Sequence, residues 1–113
     1  MANPVVHFEI NANDAKKLHG FYSKLFDWKI DANNPMNYGL VEATQGGIGG
    51  GIGQGEGPQY VTFYVQVDDL QAYLSKAEKL GGKTLVPPTE IPNMVTFAMF
   101  TDPEGNAIGL VKG

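Results

Sequence analysis

Apolar and polar residues alternate along two stretches of the chain that resemble each other, residues 5–15 (VVHFEINANDA) and 60–70 (YVTFYVQVDDL). In the second stretch Val61, Phe63, Val65 and Val67 occupy every other position, which is the two-residue period of a β-strand. A shift of 55 residues superimposes the two stretches. The pattern therefore predicts a strand at the start of each half of the chain.

A helix is predicted directly after each strand, because the apolar period there lengthens to between three and four residues. Asn13-Asp14 and Asp68-Asp69 precede the helices, and such residues cap a helix by accepting a backbone N–H bond. The helices are predicted to end at Phe26-Asp27 and at Gly81-Gly82. At the same shift the two apolar stripes match position by position: Ala15, Leu18, His19, Tyr22 and Leu25 fall on Leu70, Tyr73, Leu74, Ala77 and Leu80.

Three further strands are predicted in each half, at 28–31, 37–43 and 47–52 and at 83–86, 95–101 and 107–112. Residues 102–106 (DPEGN) predict a tight turn between the last two strands. The three prolines of residues 86–93 (VPPTEIPN) exclude a central strand and predict a stiff loop. The chain is therefore predicted to be one α+β domain of two tandem βαβββ modules, 1–53 and 59–113, joined by a connector at 54–58.

Eight glycines fall within residues 45–58 (QGGIGGGIGQGEGP), a density that raises the question of a phosphate-binding loop. The spacing G-x-G-x-x-G does not occur there, and no lysine is near for a P-loop. The repeat instead assigns residues 47–52 to the last strand of the first half, with Ile48 and Ile52 as its apolar side chains.

The net charge of −4, with eight lysines and no arginine, disfavours binding to nucleic acid or to anionic membranes. The chain has no cysteine, which excludes disulfides and thiolate metal sites. Neither a signal peptide nor an apolar run of about 20 residues is present. We therefore expect a soluble cytoplasmic domain.

The repeat, together with HFEI in the first strand, FYSKLFDWKI at 21–30 and DPEGNAIGLV at 102–111, resembles the vicinal oxygen chelate superfamily. That superfamily includes glyoxalase I, the bleomycin- and fosfomycin-resistance proteins and the extradiol dioxygenases. The resemblance implies an open, partly barrel-like curved sheet around a cavity, and it implies homodimers.

The resemblance also implies four positions that hold a divalent metal in the family's metal-dependent members. The resemblance implies a histidine at His7, a carboxylate at Gly51, a His or Gln at Thr62 and a glutamate at Gly109, so His7 is the only ligand position retained. Since glycine has no side-chain donor, the chain resembles a subgroup that has lost the metal site, and no cofactor is predicted. A relocated site on His7, Glu9 and one more carboxylate remains an alternative.

Polar residues at alternate positions of the two matching strands are the candidate ligand-binding groups. His7 and Glu9 are also the candidate acid–base pair, because an imidazole titrates near neutral pH. Some large apolar side chains are also expected to line the cavity. The candidate site residues are His7, Glu9, Thr62, Tyr64, Gln66, Trp28, Tyr38, Phe97 and Met99.

The leading hypothesis is a protein that binds a small organic molecule between the modules without the family's metal ion. The first alternative is a lyase, isomerase or dioxygenase-type enzyme that uses a relocated metal or the His7/Glu9 pair. The second alternative is a non-catalytic structural or interaction module.

Overall fold

The fold is described from a computed structural model that covers residues 2–113. It contains two helices and eight strands in the order β-α-β-β-β, twice. The elements are β1 (Val5–Ala12), α1 (Ala15–Phe26), β2 (Ile30–Asp31), β3 (Gly39–Val41), β4 (Gly49–Gln54), β5 (Tyr60–Val67), α2 (Leu70–Lys79), β6 (Lys83–Ile91), β7 (Val95–Thr101) and β8 (Ala107–Lys112). The predicted α+β class and the repeated βαβββ order are confirmed.

The contacts divide the chain into two compact units, which we call the first unit (residues 7–62) and the second unit (residues 2–6 and 63–113). In the first unit the strands lie in the order β2-β3-β4-β1, and β1 runs parallel to β4. One face of this sheet packs against α1. The core there consists of Ala12, Ala15, Val41 and Ile52, with Phe8, Ile10, Leu18, Tyr22, Trp28 and Ile30 packed around them.

The second unit repeats this arrangement. Its strands lie in the order β5-β8-β7-β6, and β5 runs parallel to β8 as β1 does to β4. Helix α2 packs against one face of the sheet, around the buried side chains of Val67, Leu70, Leu74, Ala98 and Leu110.

Both helices begin at the predicted caps. The carboxylate of Asp14 accepts a hydrogen bond from the backbone N–H of Lys17, and that of Asp69 accepts one from Ala72. Helix α1 ends at Asp27, whose φ of 57° is left-handed. The turn at 102–106 is closed by Asp102, which accepts hydrogen bonds from Glu104 and Asn106.

The prediction of a loop at residues 86–93 is wrong, because β6 extends through Ile91. Prolines are tolerated there since β6 lies at the end of the strand order and pairs with β7 alone. The pairing register shifts between Thr84 and Val86 and again between Val86 and Thr89, so Pro87 and Pro88 fall at an irregularity.

The glycine-rich stretch does form a strand, although its limits differ from the prediction. Ile52 is fully buried in β4, but Ile48 lies before β4 and is exposed. The strand continues through Gln54, the first residue of the predicted connector. Gln54 is held there because its side chain accepts a hydrogen bond from the backbone N–H of Ala15 and donates one to Asn13.

Candidate functional site

The polar residues of β1 lie on the face of the first unit's sheet that is opposite α1. Phe8 and Ile10 pack against the helix side, so the alternation of a strand places His7, Glu9 and Asn11 on the other face. All three are half-buried. Their neighbours across the ladder are the glycines of β4, since His7 pairs with Gly49, Glu9 with Gly51 and Asn11 with Gly53.

The hydroxyl of Tyr38 joins the two candidate acid–base residues. Tyr38 Oη lies 3.0 Å from His7 Nε2 and 2.9 Å from Glu9 Oε2. The His7 and Tyr38 rings are nearly parallel, with an interplanar angle of 18°. The structure therefore brings His7, Tyr38 and Glu9 together as one hydrogen-bonded group, which we call the relay.

The relay has a direction, because a phenol carries only one hydrogen. Tyr38 donates this hydrogen to the carboxylate of Glu9, so the oxygen of Tyr38 accepts the bond from His7. It follows that Nε2 of His7 carries a hydrogen. Burial lowers the pKa of His7 from its usual 6.5, because the imidazolium would lose hydration there, and the ring is therefore neutral at pH 7.

A second tyrosine lies close to the same carboxylate. Burial raises the pKa of Tyr60, the negative charge of Glu9 raises it further, and the side chain of Asn11 opposes both effects with a hydrogen bond at 3.5 Å. Glu9 thus sits near two phenols, one bonded directly and one within electrostatic reach.

The ring of Tyr38 occupies the space in which a side chain of residue 51 would lie. A Cβ built on Gly51 would overlap that ring, well inside the 3.0 Å below which real Cβ atoms essentially never come. A Cβ on Gly53 would meet the same ring at 3.1 Å. Gly51 and Gly53 therefore leave a flat surface against which the Tyr38 ring packs, and we call this surface the glycine shelf.

The second unit has the same glycine–tyrosine relationship at the matching place. Tyr64 is the repeat equivalent of Glu9, and it pairs with Gly109 across the parallel ladder. A Cβ on Gly109 would overlap the Tyr64 ring, which is itself buried. Phe97 packs edge to face on Tyr64 with ring centroids 6.4 Å apart, and the buried Met99 pairs with Gly109.

The remaining predicted site residues are Trp28, Thr62 and Gln66. Trp28 lies on the helix side of the first unit, packed against the rings of Phe8, Tyr22 and Phe26 at centroid distances of 5.1–5.4 Å. This places it apart from His7 and Glu9. Thr62 is buried, with 5% of its surface exposed, and Gln66 is half-buried on β5.

The metal positions implied by the resemblance do not fit an ion. Gly51 and Gly109 supply no donor atom, and in each case a tyrosine ring takes the space of the missing side chain. No group of three or more His, Cys, Asp or Glu side chains within residues 2–113 is arranged to hold a metal.

Two residues that take part in the site were missed from the sequence. The alternation predicts Tyr60 only as a strand residue, and no period identifies Asn34, whose side chain binds the backbone of Tyr38. Asn33-Asn34-Pro35 is a turn-forming sequence that ends three residues before Tyr38, and it is the signal that could have identified this loop.

Comparison with known proteins supports the fold and the family. The sequence profile of the Glyoxalase/Bleomycin resistance protein/Dioxygenase superfamily matches residues 5–110. A glyoxylase-like domain-containing protein of Didymella fabae is 34% identical, over 87% of this chain and 84% of its own length. The protein CFP32 of Mycobacterium bovis is 28% identical over 90% of this chain, which spans 42% of the length of CFP32.

Solved structures agree with the fold at low sequence identity. The hypothetical protein BH1468 of Bacillus halodurans has a TM-score of 0.73 at 12% identity, covering 100% of this chain and 96% of its own. The Mn(II)-bound glyoxalase of Novosphingobium aromaticivorans has a TM-score of 0.70 at 13% sequence identity, and the match covers 97% of this chain and 38% of the glyoxalase chain. A Streptomyces coelicolor methylmalonyl-CoA epimerase in complex with 2-nitronate-propionyl-CoA has a TM-score of 0.65 at 13% sequence identity, and the match covers 100% of this chain and 99% of the epimerase chain.

Within residues 2–113, neither helix is both long and apolar enough to cross a lipid bilayer. The repeated βαβββ order, the parallel pairing of first and last strands in each unit, and the profile match lead to one assignment. The chain belongs to the Glyoxalase/Bleomycin resistance protein/Dioxygenase superfamily.

Proposed function

We propose that the protein binds a small organic molecule through the polar face of β1, and that this binding needs no divalent metal ion. The relay of His7, Tyr38 and Glu9 is the observation that carries the proposal. It holds an imidazole, a phenol and a carboxylate in one hydrogen-bonded arrangement, and such fixed polar groups orient a ligand in a binding site.

The chemistry of the ligand positions supports binding without a metal. Where the resemblance implies a carboxylate ligand, Gly51 offers a surface for the Tyr38 ring. Gly109 lies in the same way against the Tyr64 ring, so neither of these two positions supplies a side-chain donor to an ion.

The test is a thermal-shift screen of small aromatic and amphiphilic compounds, followed by isothermal titration of any that stabilise the protein. A ligand at 100 times its Kd stabilises the folded state by about 2.7 kcal/mol. For a domain of this size that raises Tm by about 10 °C. We expect the same shift in the presence of EDTA and of added Mn(II). A shift that EDTA abolishes would contradict the metal-free proposal.

The site itself is tested by a matched pair of variants. Tyr38→Phe keeps the ring on the glycine shelf but removes the hydroxyl that joins His7 to Glu9. Tyr22→Phe removes a hydroxyl from the helix side of the same unit. We expect a discovered ligand to bind Tyr38→Phe about 10-fold more weakly and Tyr22→Phe as well as wild type. Equal affinity for both variants would move the binding site away from the relay.

A second candidate function is proton transfer beside a carbonyl group, and the bridging hydroxyl of Tyr38 favours it. The phenol connects a neutral imidazole to a carboxylate, so a proton can pass between groups that differ in basicity. Exchange of the α-hydrogens of ketones and α-hydroxyketones for deuterium, followed by NMR, measures this activity directly. Activity that survives both His7→Ala and Glu9→Ala would refute the assignment.

We also infer from the resemblance that the protein forms homodimers in the cytoplasm. The absence of cysteine suits a reducing compartment. Size-exclusion chromatography with light scattering would test the dimer, for which a mass of twice 12.2 kDa is expected.

A further inference from the structure

One side chain, Asn34, holds the backbone of Tyr38 at both ends. Its Oδ1 accepts hydrogen bonds from the N–H groups of Met36, at 3.2 Å, and of Tyr38, at 3.0 Å. Its Nδ2 donates to the carbonyl of Tyr38 at 2.7 Å. Asn34 therefore satisfies both main-chain polar groups of the residue at the centre of the relay.

No strand ladder fixes Tyr38 in place. It lies one residue before β3, which begins at Gly39, and it follows Asn37, whose φ of 52° is left-handed. A backbone in this position can be held by hydrogen bonds to side chains, and the side chain of Asn34 makes two such bonds with Tyr38.

The relay tolerates only a small displacement of the Tyr38 hydroxyl. Its bonds to His7 and Glu9 are 3.0 Å and 2.9 Å long, and a contact of 3.6 Å is no longer a hydrogen bond. A movement of about 0.6 Å away from either partner therefore breaks the bond. Because the hydroxyl lies at the far end of the Tyr38 side chain, a small rotation of the backbone displaces the hydroxyl by that distance.

We propose that Asn34 is a positioning residue, which acts through Tyr38 to set the hydrogen bonding of His7 and Glu9. Its effect on the His7 ring concerns the ligand-free protein and stands independently of any ligand. Its effect on ligand affinity rests on the proposed function of the relay.

The experiment follows the ring nitrogens of His7 by ¹⁵N NMR in the ligand-free protein. The backbone amides of α2, which belongs to the second unit, serve as the internal reference for general loosening of the fold. Spectra are compared for wild type, Asn34→Ala, Asn34→Asp and the control Asn33→Ala. Asn33 is exposed and contributes only its backbone N–H to the same loop, so its side chain is expendable.

In Asn34→Ala we expect the Nε2–H form of His7 to lose its preference, because the displaced Tyr38 oxygen no longer accepts that hydrogen. Asn34→Asp retains the two bonds accepted by the side-chain oxygen, so we expect a partial effect. The amide signals of α2 should stay unchanged in both variants, and Asn33→Ala should match wild type.

The proposal is overturned if His7 is unchanged in Asn34→Ala, or if the amide signals of α2 shift as well, because general loosening would then explain the result. If Asn34→Ala does not fold, Asn34→Asp decides the matter by the same comparison. With a ligand in hand, a loss of affinity of about 10-fold in Asn34→Ala supports the same role. If no ligand is found, the proposed function fails, but the NMR comparison of His7 in the ligand-free variants still tests the positioning role of Asn34.

Discussion

Substitution of Gly51 by alanine tests whether the glycine shelf exists to seat the Tyr38 ring. Gly51 has an extended backbone and lies in a strand, where alanine ordinarily stabilises a protein by about 0.5–1 kcal/mol relative to glycine. The added Cβ, however, would overlap the Tyr38 ring. The sign of the change in stability therefore reports which of the two effects is larger.

The magnitude follows from what the ring loses when it is displaced. The bond between His7 and Tyr38 contributes about 1 kcal/mol, and the bond to the Glu9 carboxylate contributes about 1.5 kcal/mol at the low end of its range. Subtracting the gain of about 0.5–1 kcal/mol leaves Gly51→Ala about 2 kcal/mol less stable than wild type. This corresponds to a fall in Tm of about 8 °C.

The assay is urea denaturation at 25 °C for Gly51→Ala, Tyr38→Ala and the double variant. Once the ring is absent, the alanine at residue 51 meets no obstacle and should stabilise the protein by about 0.5–1 kcal/mol. A coupling energy of about 2.5 kcal/mol between the two sites is therefore expected, which is the sum of the two hydrogen bonds. If the two effects simply add, or if Gly51→Ala is as stable as wild type, the ring does not require glycine there and the reasoning fails.

Three other predictions use the same kind of measurement. The free energy of unfolding of Gly109→Ala should be lower than that of wild type by at least about 2 kcal/mol, because the added Cβ would overlap the buried Tyr64 ring. For the control Gly20→Ala in α1, whose added Cβ meets no atom within 4 Å, the free energy of unfolding should rise by about 0.5–1 kcal/mol. Asp69→Ala should lose about 1 kcal/mol, since the cap of α2 disappears, and urea denaturation should show this loss without a change in m. Burial lowers the pKa of His7 in the folded protein, so the unfolded chain binds a proton at a higher pH than the folded protein does. The free energy of unfolding should therefore fall as the pH drops below 6.5. Urea titrations between pH 7.5 and 5 should show a flatter dependence for His7→Gln, and equal slopes for both proteins would contradict the lowered pKa.

The regular elements could be predicted from local pattern because each is determined by neighbouring residues. The limits of β7 and β8 agree with the prediction, and both helix caps are the aspartates that precede the apolar stripes. The repeat extended this local information across the chain, since it assigned a strand to the glycine-rich stretch that composition alone would class as a loop. Proline-rich β6 escaped prediction, because whether a strand lies at the edge of a sheet is decided by the order of the strands and not by its own sequence.

All three members of the relay are candidate site residues from the sequence, but the hydrogen bonds that join them could not be predicted from pattern, because Tyr38 is distant in the sequence from the other two. Tyr38 lies 31 residues from His7 and 29 from Glu9, and no period connects them. His7 and Glu9 were found because they alternate on one strand and share a face. The phenol between them depends on how the loop before β3 returns to the sheet, which is set by tertiary packing and by the bonds of Asn34.

The two glycines at the former ligand positions have a common physical explanation. In each unit a strand glycine lies where the resemblance implies a carboxylate, and in each unit a tyrosine ring covers it. Neither position is an empty space, because an aromatic ring occupies it, and in the first unit the hydroxyl of that ring bonds to His7. A carboxylate introduced at residue 51 would collide with the Tyr38 ring, and one at residue 109 would collide with the Tyr64 ring. A metal site engineered at the positions that the resemblance implies would therefore need changes at Tyr38 and Tyr64 as well as at Gly51, Thr62 and Gly109, so no single substitution would create it.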